Sequence, residues 1–131
     1  MLKRYYAMQK FLTRQTLYLV LVALAVAALV ADIKIFAVTG PSMYPAFQEG
    51  DRVLVDRYLW RLTGLYTGDV VVFDHPKGRA TLDIKRVSSH PAERGTYYLV
   101  GDNAGNSADS REYGSIPPSY ILGRVFLNLG K

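Results

Sequence analysis

A single serine lies between two prolines in the segment GPSMYPAF, residues 40–47. Proline restricts φ and lacks an amide hydrogen, so Pro41 and Pro45 stiffen the backbone on both sides of Ser42. Gly40 permits a close or unusual backbone approach beside it. A serine held in this way is suited to act as a nucleophile, although Gly, Pro and Ser are also ordinary turn residues. The segment alone favours a turn, and a nucleophile requires a base elsewhere in the chain.

Three side chains are candidate bases for this serine. Lys85 lies in the middle of the segment ATLDIKRVS, in an apolar context. Burial disfavours an ammonium group, so a buried lysine becomes a neutral amine that can accept a proton. The alternative is that Lys85 is the outward residue of a half-exposed strand. His75 and His90 each precede a proline in an apparent turn, and a surface histidine is the expected interpretation for both.

The segment GDNAGNSADSREYG, residues 101–114, is dense in specific polar groups. This composition predicts a loop held by internal hydrogen bonds, with an Asp109–Arg111 or an Asp102–Arg86 ion pair. Its carboxylates do not stand at EF-hand positions, so a calcium loop is not indicated. The chain has no cysteine, and its histidines and carboxylates lack the spacing of metal ligands. We expect neither a metal nor a cofactor.

Short β-strands must position these residues. Polar and apolar residues alternate in DRVLVDR (51–57) and in ATLDIKRVS (80–88), as they do in half-buried strands. The segment GDVVVFDH (68–75) contains β-branched and aromatic residues, and TYYLVGD and YILGRVFLNL complete the set. Turn residues separate these segments, without helical patterns between them. The sequence therefore predicts a mostly β domain, an antiparallel β-sandwich or coiled barrel.

The loop LWRLTGLY, residues 59–66, is apolar and aromatic with only Arg61 charged. One interpretation is a hairpin loop that folds onto its own core. The other is a loop that enters the membrane interface, where Trp and Tyr are favoured.

The N-terminal residues 17–31, LYLVLVALAVAALVA, are apolar apart from the Tyr18 hydroxyl. A membrane-spanning helix needs about 20 apolar residues, and we expect an anchor over 17–36, with the residues after Asp32 adding length. A cleaved signal peptide, which has a similar basic start and a shorter apolar region, is the alternative. A buried helix of a soluble protein is disfavoured, because the segment is hydrophobic on all sides.

Charge is concentrated at the N-terminus. Of the net charge of +5, the first sixteen residues carry +4 and the remaining chain +1, so no basic stripe is available for nucleic acid. By the positive-inside rule, residues 1–16 are expected in the cytoplasm. The remaining body of the chain, residues 37–131, is then expected on the far side of the membrane.

Taken in order, these segments resemble the bacterial type I signal peptidases, which are membrane-anchored serine proteases with a Ser–Lys dyad and a mostly β fold. GPSMYPAFQEGDRVLVDR resembles the nucleophile box of that family, and GDVVVFDHP resembles the next box. DIKRV resembles the lysine box, and GDNAGNSADSREYG resembles the final box. Four ordered boxes behind an anchor are far more specific than any single motif.

The resemblance implies a role for each matching residue. Ser42 would be the nucleophile and Lys85 its general base. Ser107 would form a hydrogen bond with the lysine amine and orient it, and the main-chain N–H of Ser42 would donate to the oxyanion. Four further residues would support the site: Asp102, Asp109, Arg111 and Arg86.

The chain departs from the family pattern at several places. Gly40 stands where some members carry a serine hydroxyl that also donates to the oxyanion, and losing one such donor costs about 3 kcal/mol in another protease. We expect another donor or a water there. After the lysine box, residues 89–93 read SHPAE instead of G-x-P-G-D. The stretch before the final box is too short for the second β domain of larger members.

The resemblance implies that the protein removes N-terminal signal peptides from exported preproteins at the plasma membrane, cutting after small residues. A specialised processing protease for pilin or plasmid-transfer products is an alternative with the same fold. The soluble self-cleaving repressors of the SOS response lack the anchor and the final box. The non-enzyme alternative is an inactive, membrane-tethered binding domain. Expected partners are preproteins and the lipid bilayer, without nucleic acid, and the chain is expected to be a monomer.

Overall fold

The computed structural model describes residues 1–78, 81–89 and 94–131, which form two units. The first unit comprises Met1–Asp32 and the second Ile33–Lys131. His90 and the beginning of the predicted strand 80–88 lie outside the described residues.

The first unit is a single helix, α1, which spans Leu2–Asp32. It is long and apolar enough to cross a membrane, and none of its most apolar residues is buried within the structure. A helix of 31 residues extends about 46 Å, which exceeds the hydrocarbon thickness of about 30 Å. The anchor that the sequence predicts over 17–36 overlaps this helix only as far as Asp32. The following residues, Ile33–Ala37, form a strand whose backbone groups pair with a neighbouring strand.

The described residues of the second unit form six strands and two short α-helices. The strands are β1 Ile33–Ala37, β2 Arg52–Asp56, β3 Val70–Asp74, β4 Leu82–Val87, β5 Leu99–Val100 and β6 Ile121–Gly130. The helices are α2 Leu59–Thr63 and α3 Ser110–Tyr113. The predicted strand segments are confirmed. Val53 and Val55 are buried at alternate positions of β2, and the first four residues of β3 are buried on both faces of that strand.

The strands form one antiparallel sheet in the order β1-β2-β6-β3-β4-β5. Gly123 of β6 packs closely against β2, because a Cβ there would stand 2.4 Å from Val55 Cγ1. Residues 38–51 connect β1 to β2 and contain Ser42. The mostly β fold class is therefore confirmed.

Two hydrophobic clusters stabilise the second unit. One contains Met43 and Phe47 from the connection between β1 and β2, packed with buried residues of β2, β3 and β4. The other surrounds Phe73 and includes Trp60 of α2. The candidate nucleophile loop is thus anchored in the core by its own apolar side chains.

Two sequence-based interpretations require correction. The predicted loop 59–66 contains helix α2, and its Trp60 is 3% exposed, so this aromatic residue belongs to the core. His75 was expected at the surface, but it is also 3% exposed and its ring packs edge-on against that of Tyr113. His75 is the first residue of the turn after the buried strand β3, and its side chain remains in the core. The local sequence did not indicate this burial.

Candidate active site

Ser42 and Lys85, which are 43 residues apart in sequence, are in direct contact. Lys85 Nζ lies 2.9 Å from Ser42 Oγ, within hydrogen-bonding distance. Lys85 is 4% exposed, and Ser42 is half-buried at the edge of the same site. This arrangement places a hydroxyl and an amine where a proton can pass directly between them.

Strand β4 positions the lysine. Residues alternate across a strand, and Lys85 is paired with Val71 of the buried strand β3. Its amine makes a second hydrogen bond, of 3.1 Å, to the carbonyl oxygen of Ile84. Two acceptors therefore orient the amine, one of them a main-chain group of its own strand.

The environment of Lys85 lowers the proton affinity of its amine relative to that of an exposed lysine. Burial lowers the pKa of Lys85 below its ordinary value of 10.5, while the negative charges of Asp83 and Asp109 oppose this effect. The direction of the shift shows that desolvation outweighs the two carboxylates. A larger fraction of Lys85 is therefore able to accept a proton at neutral pH than of an exposed lysine.

The loop that carries Ser42 is a compact turn. The Tyr44 N–H donates to the Pro41 carbonyl at 3.1 Å, and the Phe47 N–H donates to the Met43 carbonyl at 2.9 Å. Gly40 has φ +77°, a conformation that residues with a side chain rarely adopt. The two prolines recognised in the sequence thus flank a turn whose geometry also requires this glycine.

Gly40 leaves the oxyanion region without a side-chain donor at that position. Space is available for a Cβ there, but the positive φ would strain a serine in this backbone conformation. Within the described residues, the Ser42 N–H has no hydrogen-bond partner. This N–H is therefore available to bind an oxyanion.

The polar loop 101–109 holds the main chain of Ser42. The Asn103 N–H donates to the Ser42 carbonyl at 2.9 Å, and its side-chain amide donates to the Pro41 carbonyl at 3.1 Å. Gly101 packs against the same carbonyl, because a Cβ at this position would lie 2.6 Å from Ser42 O and 2.1 Å from Ser107 Oγ. Sequence reasoning did not assign Gly101 or Asn103, although both belong to the polar segment that it identified.

Asp109 is the centre of this loop. Its side chain is fully buried and accepts hydrogen bonds from the Gly101 N–H and the Ser107 hydroxyl, both at 2.8 Å. Arg111 donates to this carboxylate through Nε at 2.8 Å. Its Nη2 and its main-chain N–H also donate to the same carboxylate. Although burial alone would raise the pKa of Asp109, these bonds together hold it well below its ordinary value of 3.8.

Ser107 contacts a different partner from the one that the family resemblance implies. Its hydroxyl donates to Asp109, whereas the Lys85 amine contacts Ser42 and Ile84 in the described structure. Ser107 therefore lies in the same loop as the site but acts on the carboxylate that holds this loop.

Arg86 and Asp102 connect the polar loop to β4. Arg86 donates through Nε to Asp102 Oδ1 at 2.8 Å and through Nη2 to Oδ2 at 2.6 Å, a bidentate pair. Arg86 directly follows Lys85, and Asp102 directly precedes Asn103. The pair thus links the strand that carries the amine to the loop that holds Ser42. Both ion pairs that the sequence offered as alternatives are present.

His75 lies near Asp83, which precedes Lys85 by two residues in β4. Its Nδ1 accepts the Lys77 N–H at 3.1 Å, and its Nε2 lies 3.9 Å from Asp83 Oδ2. Among the residues that the structure describes, no hydrogen bond or ion pair joins His75 to Ser42. Nor do the described residues include a cluster of three His, Asp or Glu side chains that could hold a metal ion.

A small cavity of ≈ 30 Å³ lies between β1 and β4. Phe36, Val38 and Thr39 line one side, and Leu82, Asp83 and Ile84 line another. Its volume is close to that of one water molecule in the liquid, about 30 Å³, so it is large enough for a methyl group. Lys85 is the next residue in the chain after Ile84, which lines this cavity.

Several known proteins are similar in sequence to this chain. The chain matches the family described as signal peptidase, peptidase S26, over residues 11–94 and 88–129. It is 33% identical over 109 residues to mitochondrial inner membrane protease subunit 1 of Mus musculus, covering 70% of this chain and 66% of that protein. It therefore spans just under two thirds of this relative's length.

Two bacterial relatives are more distant. Signal peptidase I V of Bacillus subtilis (strain 168) is 27% identical over 139 residues, with 69% of this chain and 82% of the relative covered. The probable signal peptidase I-2 of Synechocystis sp. is 25% identical over 148 residues, with coverages of 82% and 67%. Because the family match covers most of the chain, the protein belongs to the signal peptidase family, peptidase S26.

Proposed function

We propose that this protein is a membrane-bound serine endopeptidase that removes N-terminal signal peptides from exported preproteins, with Ser42 as nucleophile and Lys85 as general base. The observation that carries the proposal is the 2.9 Å contact between the Ser42 hydroxyl and the buried Lys85 amine. The lowered pKa of Lys85, caused mainly by burial, supports the role of base. Membership of the signal peptidase family supports peptide-bond hydrolysis.

The proposed reaction has two stages. Neutral Lys85 accepts the proton of Ser42 Oγ as that oxygen attacks the scissile carbonyl carbon, and the Ser42 N–H stabilises the oxyanion. The resulting ammonium of Lys85 gives its proton to the leaving amine, which leaves an ester on Ser42. Lys85 then accepts a proton from water as the water oxygen attacks the ester carbon. It returns this proton to Ser42 Oγ as the ester bond breaks, which releases the acid product and restores both residues.

The remaining site residues position Ser42 and Lys85. The Ile84 carbonyl orients the Lys85 amine, and Ser107 and Arg111 hold the Asp109 carboxylate. Asp102 and Arg86 connect the loop to β4. Their proposed role is to keep the distance between the two reacting groups constant, because misplacement of about 1 Å can cost roughly 100-fold in rate.

The cavity between β1 and β4 supports a preference for small side chains at the cleavage site. The lining of this cavity, which includes Phe36, Val38 and Ile84, is largely apolar and is suited to a small apolar side chain such as that of alanine. Strand β1 is at the edge of the sheet, so its free main-chain groups can pair with an extended peptide. We therefore propose that the cleavage region binds as an additional strand at this edge.

The anchor and its orientation are part of the same proposal. Helix α1 begins with a basic segment and continues into an apolar segment, which favours a cytoplasmic N-terminus and an extracytoplasmic second unit. Anchoring would hold the site at the surface where signal peptides are already located. The proposed domains are residues 1–16, 17–36 and 37–131, with the last residues of the second segment folded as β1.

A second candidate follows from the relatives. Those with the name mitochondrial inner membrane protease subunit 1 are described as subunits of a protease, and the one from Mus musculus shares 33% identity with this chain. A dedicated processing protease that acts within a complex is therefore the alternative. It would use the same site residues and differ only in its substrates and partners.

Cleavage of a preprotein by the detergent-solubilised full chain tests the proposal. The comparison is between wild type, Ser42→Ala and Lys85→Ala, with Ser119→Ala and Lys77→Ala as controls, because both control residues are exposed. We expect cleavage after a small-x-small sequence, a loss of about 10⁴-fold or more in both site variants, and unchanged activity in the controls.

Three results would count against parts of this proposal. Activity that survives Lys85→Ala would point to a different base. A folded wild type that cleaves no general preprotein but cleaves one specific membrane protein would favour the dedicated protease. A wild type that cleaves neither substrate, yet binds one equally with and without Ser42, would favour a binding domain.

A further inference from the structure

Helix α2 and its flanks expose a group of apolar side chains. The exposed fractions are 52% for Tyr58, 41% for Leu59, 85% for Leu62 and 66% for Tyr66. We call these four residues the α2 surface. A single exposed leucine needs no explanation, but two leucines and two tyrosines on one short segment form a patch of the kind that marks an interaction site.

The fold holds these side chains outward. Trp60 is buried, and its Nε1 donates to the Arg57 carbonyl at 3.0 Å. The Trp60 N–H donates to Asp56 Oδ1 at 3.3 Å, and the Tyr66 N–H donates to Asp69 Oδ2 at 2.9 Å. The α2 surface is therefore presented by a fixed segment, anchored from below by one aromatic side chain.

Two arginines accompany the α2 surface. The guanidinium carbons of Arg57 and Arg61 each lie 5.2 Å from the centre of the Tyr58 ring. The nearest carboxylate in sequence, Asp56, is buried and pairs with Arg124 at 3.3 Å. The surface is thus apolar and aromatic with a positive charge at its margin, a composition suited to the headgroup region of an anionic bilayer.

The register of the sheet determines where this surface lies. Ile33, the residue bonded directly to the end of α1, is paired with Asp56, the last residue of β2. Paired residues of antiparallel strands lie about 5 Å apart, and α2 begins only three residues after Asp56. The α2 surface therefore lies close to the point at which the chain continues into the apolar helix.

We propose that the α2 surface inserts into the headgroup region of the bilayer that α1 spans, with Arg57 and Arg61 binding the phosphates of anionic lipids. Arginine binds phosphate oxygens through several donors in a planar arrangement, and tyrosine rings are favoured at this depth. The insertion would limit rotation of the second unit about its connection to α1. The inference requires only that α1 spans the membrane, and it is independent of the peptidase activity.

Trp60 provides a direct probe, because it is the only tryptophan in the chain. The full chain is reconstituted in phosphatidylcholine–phosphatidylglycerol vesicles whose acyl chains carry bromine close to the headgroup. We expect bromine to quench Trp60 fluorescence in wild type and in Leu62→Met, and most of the quenching to be lost in Leu62→Glu. Equal quenching in wild type and Leu62→Glu would overturn the proposal, since proximity to α1 alone would then explain it.

Folding of the variants is checked separately. Leu62 is the most exposed residue of the α2 surface, so Leu62→Glu is expected to retain the Trp60 emission maximum of wild type in detergent. Leu127→Glu on β6 serves as a second comparison, because Leu127 is 48% exposed on a different element. Loss of quenching with Leu127→Glu but not with Leu62→Glu would assign the contact to the sheet and overturn the proposal.

The lipid headgroups are tested by charge. We expect Arg57→Gln combined with Arg61→Gln to reduce quenching in vesicles containing phosphatidylglycerol and to leave the lower quenching in pure phosphatidylcholine unchanged. Quenching that is equal in both lipids for wild type would contradict the role of the arginines. Crosslinking between two copies through position 62, without lipid quenching, would identify a second chain as the occupant and overturn the proposal.

Discussion

At the scale of single residues, the chemistry depends on a balance of charges around Lys85. Burial lowers the pKa of its amine, whereas Asp83 and Asp109 raise it. Asp109 is neutralised by Arg111, but Asp83 has only the distant His75 ring, 3.9 Å away, as an ion-pair partner among the described residues. Asp83 is therefore the carboxylate whose removal should change the proton affinity of Lys85 most simply.

We predict that Asp83→Asn shifts the acid limb of the pH profile of kcat/KM to lower pH. Removing the negative charge destabilises the ammonium form of Lys85, so the amine stays neutral at lower pH. The measurement is kcat/KM for a peptide substrate across the pH range, because this profile reports the ionisation of the free enzyme.

Asp74→Asn is the matched control for this prediction. Asp74 is exposed on β3 and is not among the charges that act on Lys85, so this variant should leave the limb in place. An acid limb that does not move in Asp83→Asn, or that moves to higher pH, would show that the limb does not report Lys85.

At the scale of elements, the polar loop 101–109 determines the geometry of the site. It contacts the Ser42 carbonyl through Asn103 and connects to β4 through the Asp102–Arg86 pair. The loop is held internally by Asp109. The nucleophile and the base are therefore positioned by a third segment that contributes neither of them.

We predict that Gly101→Ala strongly reduces activity, whereas Gly105→Ala does not. A Cβ at Gly101 would lie 2.1 Å from Ser107 Oγ and 2.6 Å from Ser42 O, so the loop must move away from Ser42. Overpacking of this kind costs about 1–3 kcal/mol. Gly105 lies in the same loop with no atom within 4 Å of the added carbon, which makes it the control.

The two glycine variants are compared by kcat and by thermal unfolding. Because the added carbon is in contact with Ser42 O, we expect the loss in kcat to persist at temperatures where Gly101→Ala is fully folded. Equal activity of the two variants would show that the site tolerates displacement of the loop.

At the scale of the whole molecule, the stability of the second unit is expected to depend on the ionised Asp109. Its folded-state pKa lies well below the ordinary value of 3.8, because Arg111, Gly101 and Ser107 all donate to the carboxylate. A depressed carboxyl pKa contributes stability that is complete above the unfolded value and is lost as pH falls below it. The loss should therefore begin below about pH 4.

We predict that Asp109→Asn lowers the free energy of unfolding at neutral pH by about 1–3 kcal/mol, the typical cost of leaving buried hydrogen-bond partners unsatisfied. The variant should also show a weaker decrease of stability between about pH 5 and pH 2 than wild type. Chemical unfolding at several pH values measures both effects. Glu49→Gln at an exposed site is the control, and a variant with the full acid sensitivity of wild type would contradict this assignment.

Much of this protein could be predicted from its sequence because the relevant signals are local. A continuous apolar run indicated the helix, apolar alternation and β-branched residues indicated the strands, and the density of polar groups indicated the loop that holds the site. Ordered motifs identified Ser42 and Lys85 as a pair, although they are 43 residues apart. These features depend on residue types within short segments, and such segments carry their own conformational preferences.

Other features depended on tertiary structure. The end of α1 at Asp32 depends on pairing of the next residues with β2, and burial of Trp60 and His75 depends on elements distant in sequence. The Ser107–Asp109 hydrogen bond and the contact of Gly101 with Ser42 likewise arise where separate segments meet. The sequence alone determined which groups are available for chemistry, whereas distances, burial and the proton affinity of Lys85 depend on non-local packing that no short segment encodes.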